Sequence, residues 1–143
     1  MRAPLLTLLL ILGLPLLLGG FGTLHHTLGD SSATGAFVGF VAALAIWGWI
    51  ELAFLSGIIA GPNTSLCPPE APLWERFLRA CGTIAWHEAL LVVSLVTMGL
   101  ATQGAANPFA FLIFALLFGA RILAKLNLFF GVPRINIQFL PRP

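Results

Sequence analysis

Charge is the scarcest feature of this sequence: seven Lys and Arg and five Asp and Glu make up 8% of 143 residues. A soluble domain carries roughly a quarter of its residues as charged side chains, so water is excluded as the solvent for most of this chain. Seven scattered basic residues form no stripe, which excludes a nucleic-acid surface. Tyrosine is absent, and cysteine is limited to Cys67 and Cys81. Two thiols with no His pair nearby make no zinc site. Both fall in or near a basic loop expected on the reducing side of a membrane, which argues against a disulfide. There is no nucleophile elbow, phosphate-binding glycine loop or zinc-protease helix. No catalytic residue and no metal ligand is therefore assigned, and the chain reads as non-enzymatic.

What is present is hydrocarbon. The sequence is 59% hydrophobic with a mean hydropathy of +1.00. A bilayer core about 30 Å thick requires an apolar helix of about 20 residues, and four such runs use nearly the whole length, at about 4–20, 33–60, 77–101 and 108–131. The expected fold is an all-α integral membrane protein, one transmembrane domain over residues 1–143 with short loops. The first run is near the lower limit of a span, so a signal peptide is the alternative; Gly19-Gly20-Phe21 lacks a clear small-x-small cleavage site, which favours an uncleaved anchor. Pro15 and Gly13 are tolerable there because neighbouring helices re-satisfy the backbone. The second run is read as stopping at Gly61-Pro62, since Pro disfavours helix in the residue before it.

Positive charge sets the expected orientation, because Lys and Arg of short loops stay cytoplasmic. Arg2 precedes the first span, Arg76 and Arg79 follow the second, and Arg134 and Arg142 follow the fourth. The loop containing His25, His26 and Asp30, and the loop from Thr102 to Asn107, contain no Lys or Arg. Both termini are expected in the cytoplasm, with the tail from Arg134 to Pro143 at the membrane surface.

Five ionisable residues fall inside the spans: Glu51, His87, Glu88, Arg121 and Lys125. Charge at mid-bilayer costs a few kcal/mol on insertion scales, so such residues require partners. At 1.5 Å per residue they lie about 13, 15–17, 15 and 9 Å from the cytoplasmic boundary, taking Glu51, the His87-Glu88 pair, Arg121 and Lys125 in turn. They form one layer. Arg121 and Lys125, four apart, share a helix face and match the two acids in charge. The layer reads as a polar clasp that fixes helix register, with His87 its neutral member and Asn127 and Ser56 as completing groups. Two other readings use the same residues. Mid-membrane carboxylates and a histidine suit proton or ion movement, but no repeated halves or matching broken helices are present. A neutral imidazole can ligate a metal, which makes His87 a candidate ligand for the magnesium of a chlorophyll. The adjacent His25 and His26 read as solvated loop residues.

Trp47, Trp49, Trp74 and Trp86 with twelve Phe are compatible with stacking on a flat pigment, although interfacial belts and lipid-facing surfaces use the same residues, and Trp74 is placed in such a belt. Gly35 with Gly39, and Gly57 with Gly61, have the spacing that lets helices approach closely.

An ordered series of motifs carries a family resemblance. Trp47-Gly48-Trp49-Ile50-Glu51, Phe54-Leu55, Gly57, Gly61-Pro62, Cys67-Pro68-Pro69, Trp74 and Arg76-Phe77 are followed by His87-Glu88. Arg121, Ala124-Lys125-Leu126-Asn127, Phe129, Gly131-Val132-Pro133 and Phe139-Leu140-Pro141 complete it. Over about residues 34–141 the chain resembles the photosynthetic complex assembly protein 2 family, PuhE. The resemblance implies a multi-pass protein of the bacterial inner, photosynthetic membrane that supports assembly of the reaction centre and its light-harvesting 1 antenna. It makes Glu51, His87, Glu88, Arg121, Lys125 and Asn127 the family's polar residues. Family members are longer, with more membrane segments before and more chain after the Phe-Leu-Pro motif, and Arg134 stands where Asn is expected, so the resemblance implies a shortened member. The implied partners are reaction-centre and light-harvesting 1 subunits and membrane lipids. No cofactor is required; bacteriochlorophyll, carotenoid or lipid is an expected contact only.

Overall fold

In the computed structural model, residues 2–131 are described, and among them every regular element is an α-helix: α1 (Arg2–Thr27), α2 (Ala33–Leu55), α3 (Leu73–Ala101) and α4 (Phe109–Gly131). All four are long and apolar enough to cross a membrane, as the composition requires. The surface tail expected from Arg134 lies outside the described residues.

The helices begin and end for local reasons. Ser32 caps α2, its hydroxyl accepting the Gly35 N–H at 3.1 Å. Asp30 accepts the Ser32 N–H at 2.9 Å; hydrogen bonds from the Ser32 side chain and backbone hold its carboxyl below the usual carboxylate range. Asn107 joins the two polar turns at this end of the bundle, donating its N–H to Leu28 O (3.0 Å) and accepting the Phe109 N–H (3.0 Å) at the start of α4.

Two boundaries differ from the hydropathy reading. Helix α1 continues through His25 and His26, both exposed in its last turn, rather than ending near Gly20. Helix α2 stops at Leu55, not Ala60. Gly57 adopts a φ of +77°, and its N–H donates to Phe54 O at 2.9 Å, an αL stop in which only a residue without Cβ is unstrained.

Helix α2 is the hub and packs against the other three. Its buried residues Gly35, Gly39, Ala42, Ala43, Ile46, Ile50 and Ala53 recur at helical spacing. On α3 the buried stripe is Thr83, His87, Leu91, Ser94 and Met98, and on α4 it is Ala110 and Phe114. Lipid is as apolar as these side chains, so close approach and polar contacts hold the helices together. Gly20 of α1 sits against α2, where an added Cβ would lie 2.7 Å from Ile46 Cγ1 and 3.1 Å from Ala42 O. Gly39 of α2 faces Ala110 of α4. Gly35 instead abuts the Asp30 turn, and no neighbour lies close to Gly57. Trp49 donates its indole N–H to Leu10 O at 3.2 Å, next to the carbonyl of Ile11 that Pro15 leaves without its usual donor. Trp47 meets Phe114 edge to face at 5.3 Å, which sets α4 against α2 above the polar layer.

Candidate functional site: an intramembrane ionic cluster

The α4 positions Ala110, Phe114, Phe118, Arg121 and Lys125 recur at intervals of four, four, three and four, so the two basic residues continue the stripe that packs inward. His87 lies on the buried stripe of α3, and Glu51 is one turn below Trp47 on α2. Helical periodicity thus delivers side chains from three helices to one point.

Arg121 organises that point. Its Nη1 donates to Glu51 Oε1 at 2.6 Å, its Nη2 lies 3.0 Å from His87 Nδ1, and its Nε lies 3.5 Å from Glu88 Oε1. Lys125 pairs with the same Glu88 oxygen. Guanidinium has donors only, so His87 Nδ1 accepts and the imidazole is neutral with its proton on Nε2. That nitrogen is buried without a hydrogen-bond partner, 3.7 Å from Glu51 Oε1. Two cations and two carboxylates make the cluster neutral, which is the condition for tolerable burial. Phe54 finishes its lower side, stacked on the His87 ring at 4.4 Å with the Arg121 guanidinium 5.3 Å from its centroid.

The five ionisable residues of the expected layer therefore meet. Asn127 does not join them; it is exposed on α4. Ser56 also points elsewhere, its hydroxyl donating to Ala53 O at 2.8 Å at the end of α2. The depths change as well: Glu51 is four residues from the end of α2, about 6 Å at the helical rise, instead of nine residues. As a pigment ligand, His87 is poorly placed. It is fully buried, with one nitrogen accepting Arg121 and one face covered by Phe54, and a macrocycle has no open approach.

The segment after α2 is the part that sequence reasoning missed. It turns back along α3: Ala60 O accepts the His87 N–H at 3.1 Å, and the Asn63 N–H donates to Gly82 O at 3.2 Å. The Asn63 carboxamide donates to Arg79 O at 2.9 Å and to Thr83 Oγ1 at 3.3 Å. Gly61 lies so close that an added Cβ would collide with Gly82 O and the Thr83 backbone. Irregular backbone at membrane depth persists where protein satisfies it, and here α3 does so directly below the cluster. The only advance signal is Gly57 followed by Gly61-Pro62 and Asn63, all turn formers.

An apolar groove of about 190 Å³ lies elsewhere, between α1 and α2, lined by Pro15, Gly19, Gly20, Thr23, Val41 and Ala45. Among the described residues, no group of three or more His, Cys, Asp or Glu side chains is arranged to hold a metal ion.

Comparison with known proteins gives the chain a sequence family. No solved structure matches the chain. It is 53% identical over 131 residues to a Rhodobacter capsulatus protein described as an uncharacterized 30.4 kDa protein in the puhA 5′ region. That alignment covers 92% of this chain and 48% of the relative, so the chain spans about half the length of the protein it matches. A family model described as Protein of unknown function (DUF3623) matches residues 3–143, and the chain belongs to that family.

Proposed function

We propose that this multi-pass membrane protein is a non-enzymatic accessory subunit or assembly factor of the reaction centre–light-harvesting 1 complex in the bacterial inner membrane, both termini in the cytoplasm. The observation that carries the non-enzymatic reading is the closure of the ionic cluster on itself. Arg121 hydrogen-bonds Glu51 and His87 and lies 3.5 Å from Glu88, and Lys125 forms an ion pair with Glu88. Their geometry serves helix register rather than turnover. The photosynthetic assignment is supported by the motif series shared with PuhE and by a relative named for its place in the puhA 5′ region. Apolar helices with small-residue faces suit lateral packing against other membrane subunits and lipid, and no cofactor is needed for that role. A permanent subunit is preferred over a transient factor, because the chain's polar groups are committed to holding a fixed shape.

Gentle-detergent purification of the reaction centre–antenna complex from native membranes, with mass spectrometry of the intact band, tests the reading. Recovery at constant stoichiometry identifies a subunit, and enrichment confined to immature fractions identifies an assembly factor. Absence from both overturns the proposal.

A further inference from the structure

We infer that the connection between α2 and α3 is seated in the lipid leaflet at the Arg-bearing end of the bundle, with Ile58 among the acyl chains and Leu66, Leu73 and Trp74 in the headgroup layer. The inference goes beyond the function proposed above. It rests on the four membrane crossings and not on the photosynthetic assignment.

Depth follows from α3. Its 29 residues rise about 43 Å, roughly 13 Å more than the hydrocarbon core. The C-terminal end of α3 is level with the start of α4, where Gly99 lies against the Phe111 ring. The surplus therefore falls at the Leu73 end and puts the boundary of the core near Gly82. The connection is tied to α3 across that boundary. Ala60 O accepts the His87 N–H, about 7 Å inside it at the helical rise, and Asn63 bonds to Gly82 O and Arg79 O at the boundary itself. The chain thus leaves α2 at Leu55, dips towards the core and emerges at Asn63. The last turn of α2 takes inner amides of the dip: Ser56 donates to Leu52 O, Gly57 to Phe54 O and Ile59 to Ala53 O. Backbone that protein satisfies in this way is tolerated at depth.

The side chains match that depth. No Asp, Glu, Lys or Arg occurs between Glu51 and Glu70. Leu55, Ile58, Leu66, Leu73, Trp74 and Leu78 are 49–78% exposed, and a connection standing in water would leave all of them wet. Charge begins again only outside the boundary. Glu75, Arg76 and Arg79 lie in the first two turns of α3, at the level of the headgroups, where Trp and Arg anchor membrane proteins. A soluble partner is the less suitable cover, because reaching Ile58 would take it past the headgroups into the core.

The full chain in vesicles of phosphatidylcholine and phosphatidylglycerol tests this without any substitution. A bilayer-partitioned aryl diazirine, read by mass spectrometry, should label Ile58 and Leu66, whereas hydroxyl radicals from water should modify His25 and His26, exposed at the opposite end, and spare Ile58. Spin labels then read depth. In a Cys67→Ala, Cys81→Ala background, a label at Ile58→Cys should collide more with oxygen than with a water-soluble nickel complex. At Leu66→Cys the preference should be smaller, and at Ser31→Cys, exposed in the turn before α2, it should reverse.

Nickel access at residue 58 or 66 equal to that at residue 31 overturns the inference, as does radical modification of Ile58 from water, which would leave the surface open to a soluble partner. Protection of Ile58 and Leu66 from both the carbene and the radical also overturns it, since a second copy of this chain would then be the cover.

Discussion

Arg121 ties α4 to α2 and α3, because it cannot shed its charge and meets partners from both of those helices. Removing it while leaving Glu51 in place strands a carboxylate that is largely but not fully buried, for which the cost of about 3–5 kcal/mol of breaking a buried pair is the upper bound. Arg121→Leu should therefore lower unfolding stability in mixed micelles by up to that amount, whereas Arg121→Leu combined with Glu51→Leu should recover more than half of the loss. Equal loss in the single and double variants would mean that the two side chains are not coupled. Phe54 acts at the same scale by a weaker route. Its ring covers His87 and lies beneath the guanidinium, and cation–π contacts contribute about 0.5–2 kcal/mol. Phe54→Leu keeps the bulk and should cost no more than that in the same measurement. Much of this was legible beforehand: the i, i+4 spacing of Arg121 and Lys125 and the matching count of acids require a common layer. The role of Phe54 was not, since a Phe in an apolar run carries no mark separating a lid over histidine from a lipid-facing ring.

At the scale of elements, the segment between α2 and α3 separates this bundle from four plain hydropathy runs. Ser56, Gly57, Ile58, Ile59 and Ala60 are small or apolar, so hydropathy alone extends α2 through them. A left-handed Gly57 ends it instead, and the chain then satisfies its polar groups on α3, through partners 16 to 27 positions away in sequence. Pairings at that distance depend on packing and leave no periodic trace. Two glycines mark the arrangement for different reasons. At Gly57 the constraint is conformation, and an L-residue in the left-handed region costs about 1–2 kcal/mol. At Gly61 the constraint is space, because a Cβ would meet the backbone of Gly82 and Thr83, which cannot swing aside as a side chain can. Gly57→Ala should lower stability by about 1–2 kcal/mol with the loop still in place. Gly61→Ala should displace the loop at a cost of about 1–3 kcal/mol, as overpacked sites do. Amide hydrogen exchange reads the difference: the His87 and Asn63 N–H groups, bonded across the loop, should lose protection in Gly61→Ala and retain most of it in Gly57→Ala.

For the whole molecule, the four-span reading held because the helices that hydropathy selects are those that form. How they sit together was less visible, since α1 meets α2 through Gly13, Gly20 and Trp49, residues that composition does not distinguish from lipid-facing ones. The resulting assembly is uneven. Small residues and a short apolar core close one side, and on the other side α4 is held below Phe118 by Arg121, Lys125 and aromatic contacts to Phe77. Four crossings put the two ends of the bundle's chain on one side of the membrane. In the orientation proposed above the charge distribution chooses the side: Arg76 and Arg79 lie near the start of α3, at the same end of the bundle as the start of α1 and the end of α4, and the turns between α1 and α2 and between α3 and α4 have no Lys or Arg. Short-loop proteins retain such Arg-bearing ends in the cytoplasm. A green fluorescent protein fused after Pro143 should fluoresce, and alkaline phosphatase at the same position should be inactive. Replacing Arg76 and Arg79 with Gln while adding two Lys residues after Gln103 should shift a measurable fraction toward the reverse pattern. An active phosphatase fusion in the parent protein would place the ionic cluster nearer the opposite aqueous phase, because the cluster lies towards the end of the bundle that bears the Arg residues.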